Sequence, residues 1–531
     1  MKCDFSARRR VLQGGLAAGS LFLPTPWAWV WAQSEGATKL LRAPKVALVV
    51  GNGAYRAIGT LKNPANDATD VAAALRASGF ETTLLLNASR REMLAAIEAH
   101  AQGVAARKAV GVFYFAGHGA QLDWRNYLLP VEAKVTERAD VAAQCVDLSI
   151  LVAGVRKAAN PMNLIVLDAC RDDPFGSATR MEQKGLSQMD APPGTMLAYS
   201  TAPGNTAADG PGANGLYTEN LLREMKVREA RIEDVFKRVR LAVRRASGGQ
   251  QIPWESTSLE EDFYFLPPEQ LRKLSVQEEE REFAVELAAF EAVSRSVDPA
   301  TIEAYLRRYP SGRFAELAQL RLDQVLATGG EKPVAAVSSK DNPFTVGTGR
   351  TDTKYRVGDR YTYDRIDRLP FGNKPNRFTI RVTAITGEHV IFGNGIVIRD
   401  LLGNQLRFRD GRETTPRQDT PLEYAVGKKW STRFNVSKAG QSLGTTSVDF
   451  RVAGREKVSV PAGTFDCFRI EGRGTNRDAG APEMEIVSTR WDAPDRVRSA
   501  VARDEVLRRV VRGHVTTERS NRLELVSFEQ S

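Results

Sequence analysis

Val110-Gly111-Val112-Phe113-Tyr114-Phe115-Ala116-Gly117-His118-Gly119 and Leu164-Ile165-Val166-Leu167-Asp168-Ala169-Cys170-Arg171 are apolar runs that each stop at a reactive side chain followed by turn residues. Continuous apolar stretches of this length suit strands covered on both faces. Similar runs extend from Val46 to Val50, Thr83 to Leu86 and Met196 to Tyr199. Between them Ala68, Val71, Ala72 and Leu75 recur at helical spacing, as do Met93, Ile97, Ala101 and Val104. Each such segment can lay one apolar stripe on a sheet. The alternation over residues 45–266 predicts an α/β fold, a three-layer α/β/α domain with a mostly parallel sheet. Residues just past the carboxyl ends of parallel strands converge where ligands bind. His118 and Cys170 are therefore expected to be neighbours.

The chain continues well past this domain. Its 531 residues exceed the span of one folding unit, and 42% hydrophobic with 26% charged residues is an ordinary globular composition. The net charge of +10 is spread over too long a chain to imply a nucleic-acid groove, so no nucleic-acid partner is expected. Ala7-Arg8-Arg9-Arg10-Val11-Leu12-Gln13, an apolar run from Gly14 to Leu23 and small residues before Gln33 read as a twin-arginine signal over residues 1–32, hence export to a periplasm. Residues 269–326 read as a helical hairpin or repeat-like unit, 327–350 as a linker, and 351–531, with apolar and polar residues alternating, as an antiparallel β-rich domain. Within it, Val458-Ser459-Val460-Pro461-Ala462-Gly463-Thr464-Phe465 reads as strand, tight turn, strand and resembles β-rich envelope domains. With Cys3 in the expected signal, the remaining Cys145, Cys170 and Cys467 are too few for a disulfide framework, and the scattered histidines show no metal-ligand spacing, so no cofactor and no metal site are expected.

Cys170 follows His118 by 52 positions, the spacing of caspase-type peptidases. With Ala116-Gly117-His118-Gly119, Asp168-Ala169-Cys170-Arg171, Asn63-Pro64-Ala65-Asn66-Asp67-Ala68 and Gln251-Ile252-Pro253-Trp254-Glu255-Ser256, the first domain resembles the caspase-like cysteine peptidases, in particular their bacterial metacaspase-type members. The resemblance implies a Cys-His dyad with Cys170 as nucleophile and His118 as base. It also implies an oxyanion hole from the backbone N–H groups of Gly119 and Cys170, and a primary pocket lined by Asp67 and Asp168. Two carboxylates would pair with an Arg or Lys side chain and repel an Asp, so a protein or peptide substrate with a basic P1 residue is expected. Ala116 and Pro64 depart from the Ser and Cys of many relatives.

Ser200, just past the run ending in Tyr199, is expected to contact substrate at the same crevice. The segment from Arg171 to Gly194, with Arg180 and Lys184, reads as a self-cleavage loop. Calcium dependence, known in some relatives, is left open and unlocated. The competing reading is a non-catalytic envelope binding or scaffold protein, and an envelope partner for the β-rich domain belongs to both. A weaker third reading is polyanion binding around Arg496, Arg498, Arg503, Arg508, Arg509 and Arg512. Gly51-Asn52-Gly53-Ala54-Tyr55-Arg56 begins like a dinucleotide loop but lacks the third glycine and is set aside.

Overall fold

The computed structural model describes residues 36–170, 186–202, 212–269, 274–331, 342–369, 375–511 and 514–531. The expected signal segment, residues 171–185 of the expected self-cleavage loop, residues 332–341 of the linker and Arg512 lie outside the described residues.

The first domain is built on strands β1 (Lys45–Gly51), β2 (Glu81–Leu86), β3 (Val110–Leu122), β4 (Arg125–Leu128), β5 (Val146–Asp147), β6 (Met162–Cys170), β7 (Thr195–Tyr199) and β8 (Trp254–Thr257). Its helices are α1 (Pro64–Ala77), α2 (Arg90–Arg107), α3 (Arg138–Gln144), α4 (Leu148–Ala158), α5 (Leu216–Glu224) and α6 (Ile232–Ala246). The main sheet runs β2-β1-β3-β6-β7-β8, parallel except for β8. Strand side chains alternate between faces. Val49, Val112, Tyr114 and Val166 pack against Val71 and Leu75 of α1, Leu221 of α5 and Val239 of α6. Leu48, Phe113, Phe115 and Ile165 pack against Met93 and Ile97 of α2 and Leu151 and Val155 of α4. Both faces are thus dry, which is why these runs are apolar without interruption.

β3 does not stop at His118, contrary to the sequence reading; it continues to Leu122 and folds back on β4, with Gly119 opposite Leu128. The parallel ladder, however, does end there. Gly117 adopts φ +153°, a conformation side chains disfavour, and lets the strand leave the sheet without breaking.

Among the described residues the helical unit has three helices, α7 (Val276–Val293), α8 (Pro299–Arg308) and α9 (Ala315–Thr328), one more than a simple hairpin. The break at Pro310-Ser311-Gly312 is visible as a turn. The earlier break is set by Asp298, whose carboxylate caps the N–H groups of Ala300 and Thr301 ahead of Pro299 at the first helical position.

From Arg360–Asp367 to His514–Glu529, the described residues form twelve antiparallel strands that close into a barrel, the first and last strands pairing. Val460 and Gly463 face each other across the Pro461-Ala462 turn. Arg498, Arg503, Arg508 and Arg509 of the supposed polyanion face are ion-paired, Arg498 with Asp352 and Asp359 and Arg509 with Glu518. Residues 342–350 of the expected linker are strapped to the first domain. Asn342 Nδ2 donates to Ser187 Oγ and the Gln188 carbonyl, the Asp190 N–H donates to the Phe344 carbonyl at 2.7 Å, and the Gly347 N–H donates to Asp190 Oδ2 at 2.6 Å. Arg244, buried in α6, pairs with Asp323 of α9 and with Glu331, so the helical unit is docked as well.

Candidate active site

β3 and β6 run in parallel register with Ala116 opposite Asp168, Gly117 opposite Ala169 and His118 opposite Cys170. Register partners on adjacent strands stand about 4.8 Å apart along the hydrogen-bonding direction. The two motifs therefore meet at the carboxyl end of the ladder, where β1 has already finished at Gly51 opposite Ala116.

His118 is buried, at 7% exposure. Its Nε2 lies 2.8 Å from the Gly59 carbonyl, and its ring packs against Tyr55 with centroids 4.6 Å apart. A carbonyl oxygen only accepts, so the proton of the neutral imidazole sits on Nε2 and Nδ1 is the basic nitrogen. Gly59 belongs to the loop between β1 and α1. That loop is pinned by Asn52, which accepts from the Ala88 N–H and donates to the Leu129 carbonyl, and by Asn87, which accepts from the N–H groups of Gly53 and Ala54.

Gly119 lies just beyond the bend in β3. A Cβ placed on it would come within 2.8 Å of Leu186 and 3.1 Å of Ala169, so the chain passes closely here over the strand that carries Cys170.

Asp67 and Asp168 are brought together by a third element, the N-terminus of α5. Asp67, in the first turn of α1 and 3% exposed, accepts the N–H of Gly215 at 2.9 Å. Asp168 Oδ2 accepts from the Thr218 hydroxyl at 2.6 Å, and Tyr114 Oη lies 2.6 Å from that same hydroxyl. Thr218 has one proton and a carboxylate has none to give, so Tyr114 donates to Thr218 and Thr218 to Asp168. Burial first, then the charges of Asp168 and Asp67, push the Tyr114 phenol well above its usual range, so it remains a donor. A Cβ on Gly215 would lie 3.2 Å from Asp67 Oδ2 and 3.9 Å from Asp168 Oδ2. Both carboxylates thus converge on a bare glycine at a helix N-terminus, where the backbone partial charge favours anions.

Ser200 follows β7, its N–H bonded to the Leu167 carbonyl and its own carbonyl accepting from Gln251 Nε2; it is 1% exposed and its hydroxyl has no partner among the described residues. Cys145 and Cys467 are buried thiols pushed up to about 12 by desolvation, which keeps them protonated. Among the described residues no group of three or more His, Cys, Asp and Glu side chains is placed to hold a metal ion, and no helix is long and apolar enough to cross a membrane.

Sequence reading missed Tyr55, Gly59, Gly215 and Thr218. Glycines flanking a helix start, as in Gly212-Ala213-Asn214-Gly215, are a legible signal for close backbone approach. A backbone carbonyl such as that of Gly59 leaves no mark in residue type.

Residues 44–264 match the family model of the caspase domain. The human mucosa-associated lymphoid tissue lymphoma translocation protein 1 is 28% identical over 131 residues, which is 25% of this chain and 15% of that protein. The mouse homologue matches to the same extent. The match thus spans a small fraction of these relatives.

Proposed function

We propose that the caspase domain formed by residues 44–264 makes this chain a cysteine endopeptidase that cleaves after Arg or Lys. The observation that carries the reading is the register of His118 opposite Cys170 at the end of a parallel ladder. Nδ1 of His118 takes the thiol proton of Cys170, and the thiolate attacks the scissile carbonyl carbon. The oxyanion would be met by the N–H groups of Gly119 and Cys170 once substrate displaces the last rung of the β3–β6 ladder, each donor being worth about 3 to 4 kcal/mol. The imidazolium returns its proton to the departing amine as the C–N bond breaks. Water, deprotonated by the same Nδ1, then hydrolyses the thioester. The Gly59 carbonyl, holding Nε2–H, steadies the imidazolium throughout.

The basic P1 side chain is read by Asp67 and Asp168, and the buried Ser200 hydroxyl is the third polar group assigned to it. Their support is that both carboxylates meet at Gly215, Asp67 accepting its N–H and Asp168 Oδ2 lying 3.9 Å from where its Cβ would be. Calcium enters no step here.

In the same reading the chain is exported through its twin-arginine leader and the barrel presents the peptidase to an envelope partner. The double substitution Arg8→Lys with Arg9→Lys should retain the protein in the cytoplasm on cell fractionation, and a variant still exported would remove the leader assignment.

The reading is tested with peptide reporters ending in Arg, Lys or Asp. Cleavage of the Arg and Lys reporters that is abolished by Cys170→Ala and by thiol alkylation supports it. A wild-type chain without turnover would favour a scaffold.

A further inference from the structure

Gly51-Asn52-Gly53-Ala54-Tyr55-Arg56 starts like a nucleotide loop and does not complete one. In the structure it forms a collar around His118. The Asn52 N–H adds one bond to the Ala116 carbonyl after β1 has ended, and the chain then turns away. In a parallel strand the N–H and C=O of one residue point to the same side, and successive residues alternate sides. Ala116 faces β1, so His118 also faces β1, at a level where β1 no longer runs.

Tyr55 takes the place of the missing strand. Its hydroxyl accepts the His118 N–H at 2.7 Å and lies 3.4 Å from the Leu129 carbonyl, while its ring leans on the imidazole at an interplanar angle of 50°. The fit leaves no room for a side chain at the bend, since a Cβ on Gly117 would sit 2.6 Å from the Tyr55 oxygen. Tyr55 is itself 4% exposed, and its N–H is bonded to the Gly53 carbonyl within the pinned loop.

We propose that Tyr55 is a positioning residue for His118: its hydroxyl fixes the backbone that carries the imidazole, and its ring limits rotation about that backbone, so that the base keeps one orientation for proton transfer with Cys170. The proposal rests on the peptidase reading, because it assigns Tyr55 its role through the base of that reaction. A group that aligns a base changes the rate of proton transfer more than the binding of substrate.

The test uses the full chain with Tyr55→Phe, which keeps the ring, and Tyr55→Leu, which removes it. Three quantities are measured: kcat and KM on an Arg reporter, the thermal midpoint, and the pH dependence of Cys170 alkylation by iodoacetamide read by peptide mass. Buried Cys145 and Cys467, both pushed up to about 12, give little background. The expectation is a fall in kcat of about 10-fold for Tyr55→Phe and about 100-fold for Tyr55→Leu, with KM changed less than about 2-fold. The alkylation profile should move to higher pH as the thiolate loses its aligned imidazolium, and the Tyr55→Phe midpoint should stay near wild type. Wild-type kcat and an unmoved profile in Tyr55→Phe would overturn the proposal, as would a lost kcat accompanied by a lowered midpoint and an unmoved profile. If the wild type shows no Cys170-dependent turnover, the peptidase reading fails by itself. The profile then decides the Tyr55 proposal alone: a shift supports the coupling and no shift removes it.

Discussion

Replacing Asp168 by Asn removes a charge while keeping an oxygen to which Thr218, itself held by Tyr114, can still donate, so the fold around it should persist. At about 4 Å and an effective dielectric near 20, a guanidinium and one carboxylate attract by about 4 kcal/mol. Asp168 is only partly buried, and the substrate group must shed water to reach it, so about 2 to 3 kcal/mol is the net expectation. At 1.36 kcal/mol per decade this is a fall in kcat/KM of roughly 30- to 150-fold for a P1 Arg reporter. The control is a citrulline reporter, which has the shape and hydrogen-bonding edge of Arg without its charge. The Arg-to-citrulline ratio of kcat/KM should collapse in Asp168→Asn and in Asp67→Asn, whereas a general disturbance of the site would lower both reporters together. Because both acids converge on Gly215, the double variant should lose less than the product of the single losses. An unchanged ratio with equal losses on both reporters would refute the reasoning and leave the acids as props for α5.

His100, buried in α2 with no partner for Nδ1 among the described residues, is lowered to about 4 by desolvation. The unfolded chain takes up its proton near pH 6.5 and the folded chain refuses it, so stability falls as pH drops from about 6.5 to 4, by about 3 kcal/mol at most. Urea midpoints at several pH values should show His100→Leu losing less stability on acidification than wild type; equal losses would remove the assignment. Gln188 is buried with neither amide atom bonded among the described residues, so Gln188→Met should raise the thermal midpoint, gaining about 1 to 2 kcal/mol, and a drop would mean that the amide has a use. Arg244→Met leaves Asp323 and Glu331 without this partner and should cost about 3 kcal/mol, read as earlier proteolysis between the first domain and the helical unit; unchanged protease resistance would count against that docking.

The parallel sheet was legible because two dry faces demand uninterrupted apolar runs, and both motifs lie within such runs. Tyr114 to Ala116 and Val166 to Leu167 could be little else, and their pairing in register carries His118 and Cys170 with them. What the residue types did not reveal depends on relations across long separations. Closure of the barrel requires residues 360–367 to meet residues 514–529, and no local pattern distinguishes a closing strand from an edge. The continuation of β3 past His118 turns on a single glycine torsion. The first break in the helical unit is hard to read because the Asp-Pro start signal at residues 298 and 299 lies inside an otherwise charged, helix-like run.

The same contrast runs through the candidate site. Side chains that would perform chemistry were legible, since a thiol, an imidazole and two carboxylates at strand ends and in the first turn of a helix are conspicuous by type. The groups that orient them were not: a carbonyl at Gly59, a hydroxyl at Tyr55, a bare N–H at Gly215 and a threonine relay from Tyr114. Each acts through backbone position or through one hydrogen bond, and each is supplied by a segment remote in sequence from the residue it serves. Thr218 stands 50 residues from Asp168, and the Gly215 N–H stands 148 from Asp67. A reactive residue is therefore recognisable alone, whereas its alignment exists only after the sheet has brought β1, β3 and β6 into register and α5 has closed over their ends. On this account Tyr55→Phe and Thr218→Val, both far from conspicuous in the sequence, should each alter turnover more than any exposed charge of the barrel.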